Sequence, residues 1–363
     1  MRRDFEALLG IEHPIVQAPM AGGATTVELV AAVSQSGALG SFGAASMTPQ
    51  QILDAAAAVR ERTEKPFAFN LFSPLPDPPD ADLTAMIELL SHYHAELGMP
   101  APSVPPVYSS RAAFDAQLDA VIESGAPIFS FTFGIVPPAA LQRLRSRGIR
   151  TIGTATTVAE ARALEDAGVD AIVAQGSEAG GHRGTFLGPF ESAMIGTLAL
   201  VPQIVDAVSV AVIASGGIMD GRGIVASRVL GAAGAQLGTA FLTCDESGLP
   251  QAYKDAILAA SEDGTAITRA FSGRPARGLV NRAMREIEAS GAIAPYPMQN
   301  ALTRAMRAKA GADGRTDYLS LWSGQAPRLA RRQSAAALVR RLVAESLRAR
   351  NDVLGEGADS AVD

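Results

Sequence analysis

Short apolar segments alternate with amphipathic segments along most of this chain. The apolar segments are rich in valine, isoleucine and phenylalanine, and each of the first seven is followed by a segment with helical periodicity. This alternation is typical of βα units that build a parallel sheet. We therefore predict eight strands, at residues 14–20, 39–44, 67–72, 128–134, 151–155, 171–176, 211–217 and 235–242.

Eight strands with helical crossovers predict an α/β fold, a TIM-type (β/α)8 barrel. A doubly wound open sheet is the main alternative. The barrel is favoured because the strands follow one another without a break into two halves. Several strands also end in small or polar residues, such as Asn70, Gln175 and Gly217. In a barrel, those strand ends converge on one mouth.

Two regions depart from the alternation. Residues 74–110 form a proline-rich excursion after the third strand, and a long segment follows the last strand. Residues 334–350 have apolar side chains at helical spacing and should form a helix that closes on the barrel. The predicted division is 1–245 and 321–350 for the barrel, 246–320 for a smaller, mainly helical substrate or lid domain, and 351–363 for a frayed tail.

Composition excludes several function classes. The formal net charge is −6 and aromatic content is 5%, so nucleic acid is not an expected partner. Cys244 is the single cysteine, which rules out an intrachain disulfide and fits a reducing compartment. The N-terminus lacks the apolar core of a secretory signal, and the most apolar stretch, 196–214, is broken by Pro202 and Asp206. We expect a cytoplasmic protein with no membrane partner, acting as a monomer or homodimer.

Glycines follow the last two predicted strands, in "ASGGI" (214–218) and "QLGTAF" (236–241). Backbone amides at such turns bind phosphate, and barrels commonly place a phosphate site after strands seven and eight. Either segment alone is explained by a tight turn, but the pair favours phosphate binding. Because no G-x-G-x-x-G lies at a βα turn, the pattern points to FMN or a sugar phosphate rather than a tightly held NAD.

Two uncharged amides, Asn70 and Gln175, end predicted strands and could pair with the pyrimidine edge of a flavin. Each is also explained as a structural amide. Pro19 and Met20 end the first strand and suit a wall against a flat ring, although methionine is more often a core residue.

His182 lies in a glycine-rich loop after the sixth strand, at the predicted mouth. An imidazole there can accept a proton near neutral pH, whereas the simpler reading is a hydrogen bond to phosphate or backbone. No histidine has a partner at metal-ligand spacing, so no metal is expected. Glu178 and Arg183 flank His182 and are candidates for a loop-shaping ion pair.

Six segments together resemble the nitronate monooxygenase family, formerly called 2-nitropropane dioxygenases. The resemblance covers roughly residues 10 to 345, and the histidine loop and the late segment are similar to class I members. The six segments are "QAPMAGG" (17–23), "GSEAGGHRG" (176–184), "ASGGI" (214–218), "QLGTAF" (236–241), "GRPARG" (273–278) and "PYPMQNALT" (295–303).

The resemblance implies an FMN-dependent barrel with His182 as the catalytic base and Tyr296 near the substrate. It also implies that Ala18, Pro19 and Met20 flank the isoalloxazine. The residues that would hold FMN are Asn70, Gln175, Gly180, Gly181, Gly216, Gly217, Gln236, Leu237, Gly238 and Thr239.

The implied reaction is oxidation of an alkyl nitronate, of the propionate 3-nitronate type, by O2 to a carbonyl compound and nitrite, a detoxification. His182 would deprotonate neutral nitroalkanes and orient the anionic nitronate. The alternative is an NAD(P)H-dependent FMN reductase of the same fold, acting on quinones or enoyl-ACP. A non-catalytic flavin- or phosphate-binding barrel is the third hypothesis.

Overall fold

Parallel strands form a closed barrel in the computed structural model, which describes residues 5–76, 80–103 and 110–355. The described strands are β1 (Ile15–Gln17), β2 (Gly40–Gly43), β3 (Phe67–Phe72), β4 (Ile128–Thr132), β5 (Arg150–Ala155), β6 (Ala171–Gln175), β7 (Gly181–His182), β8 (Ala211–Ser215), β9 (Gly234–Leu237), β10 (Thr265–Thr268) and β11 (Ala276–Leu279).

Eight of these described strands pair in the order β1-β9-β8-β6-β5-β4-β3-β2. The two ends of this sheet meet, because the Gln17 amide donates to the Leu39 carbonyl and the Leu39 amide donates to the Ile15 carbonyl, each at 2.9 Å. The buried Gln17 side chain joins β1 to β2, accepting from the Ser41 amide at 2.9 Å and donating to the Ser41 carbonyl at 3.1 Å. The predicted TIM-type barrel is confirmed, and the open sheet was the wrong alternative.

Helices connect the strands on the outside of the barrel, as the alternation predicts. Thr48 caps one of them in a reciprocal capping box with Gln51. The described helices are α1 (Phe5–Leu9), α2 (Val27–Gln35), α3 (Pro49–Arg60), α4 (Thr84–Glu96), α5 (Ser110–Glu123), α6 (Pro138–Ser146), α7 (Val158–Asp166), α8 (Thr197–Ala207), α9 (Gly221–Val229), α10 (Thr239–Leu242), α11 (Gln251–Ala259), α12 (Arg282–Ser290), α13 (Met298–Ala312) and α14 (Ala335–Leu354).

Several element bounds differ from the prediction, and most barrel strands are shorter than predicted, as in β1, which covers Ile15–Gln17 rather than 14–20. The last barrel strand ends at Leu237 rather than 242, because Gly238 leaves the extended conformation and α10 begins at Thr239. The C-terminal helix continues to Leu354, so the first residues of the predicted frayed tail are helical. Residues 356–363 lie outside the described part of the chain.

Residues 246–320 carry a second apolar cluster, built from α11, α12 and α13. This region is less helical than predicted, because β10 and β11 pair as an antiparallel hairpin. The third strand of that sheet is β7, which comes from the glycine-rich loop of the barrel. Helix α4 of the proline-rich excursion packs against the same cluster through Met86 and Leu90. The limits of a separate domain stay a prediction.

In the described ranges, no helix is both long and apolar enough to cross a membrane. The apolar stretch 196–214 instead supplies α8 and the buried strand β8.

Candidate active site

The predicted site residues lie together at the carboxyl end of the barrel. Gln175 on β6 lies opposite Ser215 on β8, which lies opposite Gln236 on β9. Across the barrel, Asn70 on β3 lies opposite Ser130 on β4. The turn Ala18–Met20 follows β1 at the same end, and all three of its residues remain partly exposed.

Four backbone amides at this end are unused. The amides of Gly216, Gly217, Gly238 and Thr239 donate to no described residue, and the three glycines are partly exposed. They follow β8 and β9, as the predicted phosphate site requires. Clustered amides without partners are a suitable donor set for an anion.

Close packing fixes the backbone that carries these amides. Gly216 has φ +133°, and a Cβ there would lie 2.4 Å from the Thr197 hydroxyl oxygen. Thr197 is itself held, because its hydroxyl donates to the Glu178 carboxylate at 2.8 Å and lies 3.2 Å from the Gly216 carbonyl oxygen. A larger residue at position 216 would therefore displace the turn.

The two predicted amide side chains are already hydrogen-bonded within the protein. Gln175 donates to the His182 carbonyl at 3.0 Å and accepts from the Gly184 amide at 2.8 Å. Asn70 donates to the Ser130 hydroxyl at 2.9 Å. Gln175 thus folds the glycine-rich loop across the barrel mouth. The side chain of Leu237 packs in the barrel core, so only its backbone faces this end of the barrel.

The ion pair predicted between Glu178 and Arg183 is wrong. Arg183 is 1% exposed and donates to the carbonyls of Gly176 at 2.6 Å and of Gln175 and Ala193 at 3.1 Å. Glu178 instead accepts from Thr197. Both side chains shape the loop, but each satisfies different backbone groups.

His182 is held by a strand rather than by a free loop. It lies on β7, where its backbone pairs with Ala276 of β11, and Gly181 pairs with Arg277. Its imidazole Nε2 lies 2.8 Å from the Ser272 hydroxyl. Gly180 permits this arrangement, because a Cβ there would lie 2.5 Å from the Gly324 amide nitrogen. The histidine is therefore positioned by the second apolar region as well as by the barrel.

Aromatic rings surround the imidazole. Trp322 and Phe133 have ring centroids 5.5 Å and 5.7 Å from it, and Phe72 and Tyr296 lie at 6.4 Å. Tyr296 thus lies beside the histidine, where the sequence resemblance implies the substrate. Phe133 has a φ of +74°, which is strained for a residue with a Cβ, and it contacts both His182 and Tyr296.

Two guanidinium groups make this aromatic site electropositive. Arg274 lies 3.9 Å over the Phe133 ring and donates to the Thr185 carbonyl at 2.6 Å. Arg307 donates to the Asn300 side chain at 2.8 Å. Neither forms an ion pair with a carboxylate in the described ranges, although burial lowers the pKa of both. A partly buried cation without an ion-pair partner in the described ranges favours an anionic ligand.

Burial, assisted by the charges of Arg274 and Arg307, lowers the pKa of His182 to about 3. The unliganded imidazole is therefore neutral at pH 7, with one N–H and one lone pair. It can donate to a bound anion or accept a proton, but not both from the same nitrogen.

Sequence analysis missed several residues at this site, namely Ser272, Arg274, Arg307, Phe133 and Trp322. Arg274 belongs to the "GRPARG" segment and Trp322 is the single tryptophan, but neither feature carries a chemical role by itself. The pairing of β7 with β11 joins segments about 90 residues apart and brings His182 to Ser272, which local sequence patterns do not show.

Comparisons of the whole chain with known proteins point to one family. The chain matches the sequence profile described as nitronate monooxygenase over residues 3–345. It is 44% identical over 349 residues to a "probable nitronate monooxygenase" of Staphylococcus saprophyticus, covering 93% of this chain and 96% of that protein. A Staphylococcus aureus protein of the same description is 46% identical over 339 residues, covering 93% and 95%.

Solved structures give the same result for the fold. The chain is similar to a nitroalkane oxidase from Streptomyces ansochromogenes, with 41% identity and a TM-score of 0.88, covering 96% of this chain and 99% of that one. It is also similar to FabK from Thermotoga maritima, with 30% identity and a TM-score of 0.77, covering 98% and 99%.

Proposed function

Since the chain belongs to the nitronate monooxygenase family, a family of oxidoreductases, we propose that it oxidises alkyl nitronates with O2, using FMN, to a carbonyl compound and nitrite. The observation that carries the proposal is the electropositive aromatic site around His182, next to a set of unused backbone amides.

The donor set fits FMN. The amides of Gly216, Gly217, Gly238 and Thr239 would hold the phosphate, because they donate to no residue that the structure describes and lie at adjacent strand ends. The turn Ala18–Met20 would lie against the ring. Bound FMN would supply the electron acceptor for the nitronate and return the electrons to O2.

The chain's own residues bind and orient the substrate. Arg274 and Arg307 attract the negative charge of a nitronate, and a substrate with a second anionic group, such as propionate 3-nitronate, gains from the same field. The rings of Phe133, Tyr296 and Trp322 exclude water and contact the alkyl part. An anion bound beside His182 raises the pKa of the imidazole again, because opposite charges favour its protonated form.

This charge distribution distinguishes two substrate classes. A preformed nitronate needs no proton abstraction. A neutral nitroalkane must transfer its α-proton to an imidazole whose pKa is lowered to about 3 in the unliganded protein. Such a transfer is uphill, so we expect nitronates to be oxidised faster than the corresponding nitroalkanes.

The test is a nitrite assay in air with the FMN-loaded protein. Propionate 3-nitronate and propyl nitronate should both release nitrite, whereas 3-nitropropionate and 1-nitropropane should release it more slowly. Absence of nitrite above the protein-free reaction would contradict the proposal. Anaerobic mixing with NADH or NADPH separates the alternative, since prompt bleaching of the flavin would identify a nicotinamide-dependent reductase.

A further inference from the structure

Ser272 makes the single hydrogen bond of the His182 imidazole to a described residue. Its hydroxyl oxygen lies 2.8 Å from Nε2 of His182, 3.2 Å from the Arg274 amide nitrogen and 3.1 Å from the Arg274 carbonyl oxygen. Ser272 is 1% exposed, so its side chain is shielded from bulk solvent. The geometry points to Ser272 as a positioning residue that keeps the proton of neutral His182 on Nε2 and leaves Nδ1 as the nitrogen that faces the substrate.

Counting protons assigns each of the three contacts. A serine hydroxyl has one proton and two lone pairs. The Arg274 amide can only donate, so it occupies one lone pair. The Arg274 carbonyl can only accept, so it receives the hydroxyl proton. The remaining lone pair faces Nε2, which must then carry the imidazole proton.

The opposite tautomer leaves a group unsatisfied. If Ser272 donated to Nε2, the partly buried Arg274 carbonyl would lose its described partner, which costs free energy because the carbonyl is partly desolvated. The backbone at Gly273 cannot relax easily to restore it. Gly273 has φ +83°, and a Cβ there would already lie 2.4 Å from the Ala294 carbonyl oxygen.

Nδ1 is the free nitrogen. It has no hydrogen-bond partner among the described residues, and it is absent from the buried polar atoms that lack one, so it keeps accessible surface. The charged and titratable groups around the imidazole are Arg274, Arg307 and the phenol of Tyr296. Neither arginine can accept a proton from Nδ1, and no hydrogen bond joins the Tyr296 hydroxyl to the imidazole in the described part of the chain.

The assignment has a kinetic consequence that rests on the proposed function. A neutral nitroalkane would transfer its α-proton directly to the Nδ1 lone pair. A nitronate arrives without that proton, so Nδ1 must take one from solvent before it can donate to the anion. Oxidation of nitronates should therefore slow as pH rises. The rate of proton abstraction from a neutral nitroalkane should not fall as pH rises.

The test reads the tautomer itself, without turnover. We would record long-range ¹H–¹⁵N correlation spectra of the FMN-loaded protein at pH 7.5, with His182 assigned from the spectrum of His182→Asn. The expected result is a protonated Nε2 and an unprotonated Nδ1. A protonated Nδ1 would overturn the assignment.

Two variants separate positioning from folding. Ser272→Ala should mix the tautomers and lower kcat on nitroalkanes by roughly tenfold, with KM and FMN content little changed. Ser272→Thr keeps the hydroxyl and should restore both the tautomer and kcat. Ser91→Ala, on α4 and bonded to its own helix, is the matched control and should resemble the wild type.

If Ser272→Ala keeps the wild-type tautomer and the wild-type kinetics on nitroalkanes, Ser272 does not position the imidazole proton. A wild-type protein that shows the expected tautomer but releases no nitrite would contradict the proposed function and leave the tautomer assignment intact. The two failures are therefore distinguishable.

Discussion

The two ends of the barrel use the same strands for opposite purposes. At the amino end, α1 closes the barrel with Phe5 and Leu9, which pack on strand residues such as Val16 and Ile213 in a wholly apolar cluster. At the carboxyl end, four backbone amides donate to no described residue, and neither Arg274 nor Arg307 forms an ion pair with a described carboxylate. One end maximises burial, and the other leaves interactions open for a ligand.

Glycines illustrate the same difference. Gly234 at the amino end is required by packing, since a Cβ there would lie 2.5 Å from the Phe5 ring. Gly216 at the carboxyl end is required by backbone conformation as well, with φ +133° and a close approach to Thr197. Substitutions at the amino end should therefore affect stability, and those at the carboxyl end should affect binding.

The largest effect is expected for Phe5→Ala. Phe5 is 2% exposed, and truncation of its side chain leaves a cavity between α1 and the amino end of the barrel. We expect the free energy of unfolding to fall by about 3–5 kcal/mol, with kcat per FMN unchanged below the unfolding transition. Urea denaturation and the nitrite assay measure the two quantities.

Leu198→Ala is the control for that experiment. Leu198 is 72% exposed, and its truncation should change stability by less than about 0.5 kcal/mol. The contrary result is a lower kcat per FMN in Phe5→Ala at a temperature where the variant is still fully folded. That result would show that the two ends of the barrel are not independent.

Gly216→Ala should affect the carboxyl end next most strongly. The added Cβ would meet Thr197 and strain a positive φ, which moves the unused amides away from the phosphate. We expect FMN binding to weaken by roughly 10- to 100-fold, which is about 1.4–2.8 kcal/mol, with a smaller change in apoprotein stability. Fluorescence titration of the apoprotein with FMN measures the affinity.

Gly98→Ala separates the conformational cost from the site. Gly98 has φ +65° with open space around its Cβ position, and it lies after α4. It should lose a little stability and keep wild-type affinity for FMN. If Gly216→Ala binds FMN as tightly as the wild type, the turn after β8 does not bind the phosphate.

The sequence predicts the amino end and the barrel strands well, because both depend on local periodicity. Apolar strands and amphipathic helices can be recognised from a few consecutive residues. The eight barrel strands accordingly lie where the pattern indicates. Phosphate-binding candidates such as Gly216 and Gly238 are also visible, since their role depends on a single βα turn.

The environment of His182 could not be predicted in the same way. Its partners come from β11 and from the segment around Trp322, and the pairing of β7 spans only two residues. Two residues carry no periodicity, so the sequence shows a loop where the structure has a strand. Gln175 is a second case, because the sequence does not show that its amide also holds the glycine-rich loop, and its role toward the flavin stays a prediction.

The smallest expected effect concerns the pH dependence of stability. The pKa of His182 is lowered to about 3 in the folded protein, below its ordinary value of 6.5. Between pH 3 and 6.5, the imidazole is therefore protonated in the unfolded chain and neutral in the folded chain. Stability from this group is complete above pH 6.5 and is lost progressively as pH falls toward 3.

His182→Asn removes that proton linkage and tests it. Between pH 7.5 and 5.0, the wild type should lose ~1–2 kcal/mol more free energy of unfolding than His182→Asn, measured by urea denaturation with saturating FMN. His92→Asn, which changes an exposed histidine on α4, should follow the wild type at both values. Equal losses of unfolding free energy in the wild type and in His182→Asn would mean that the imidazole is solvated. The difference between the two ends of the barrel would then depend only on the backbone amides at the carboxyl end.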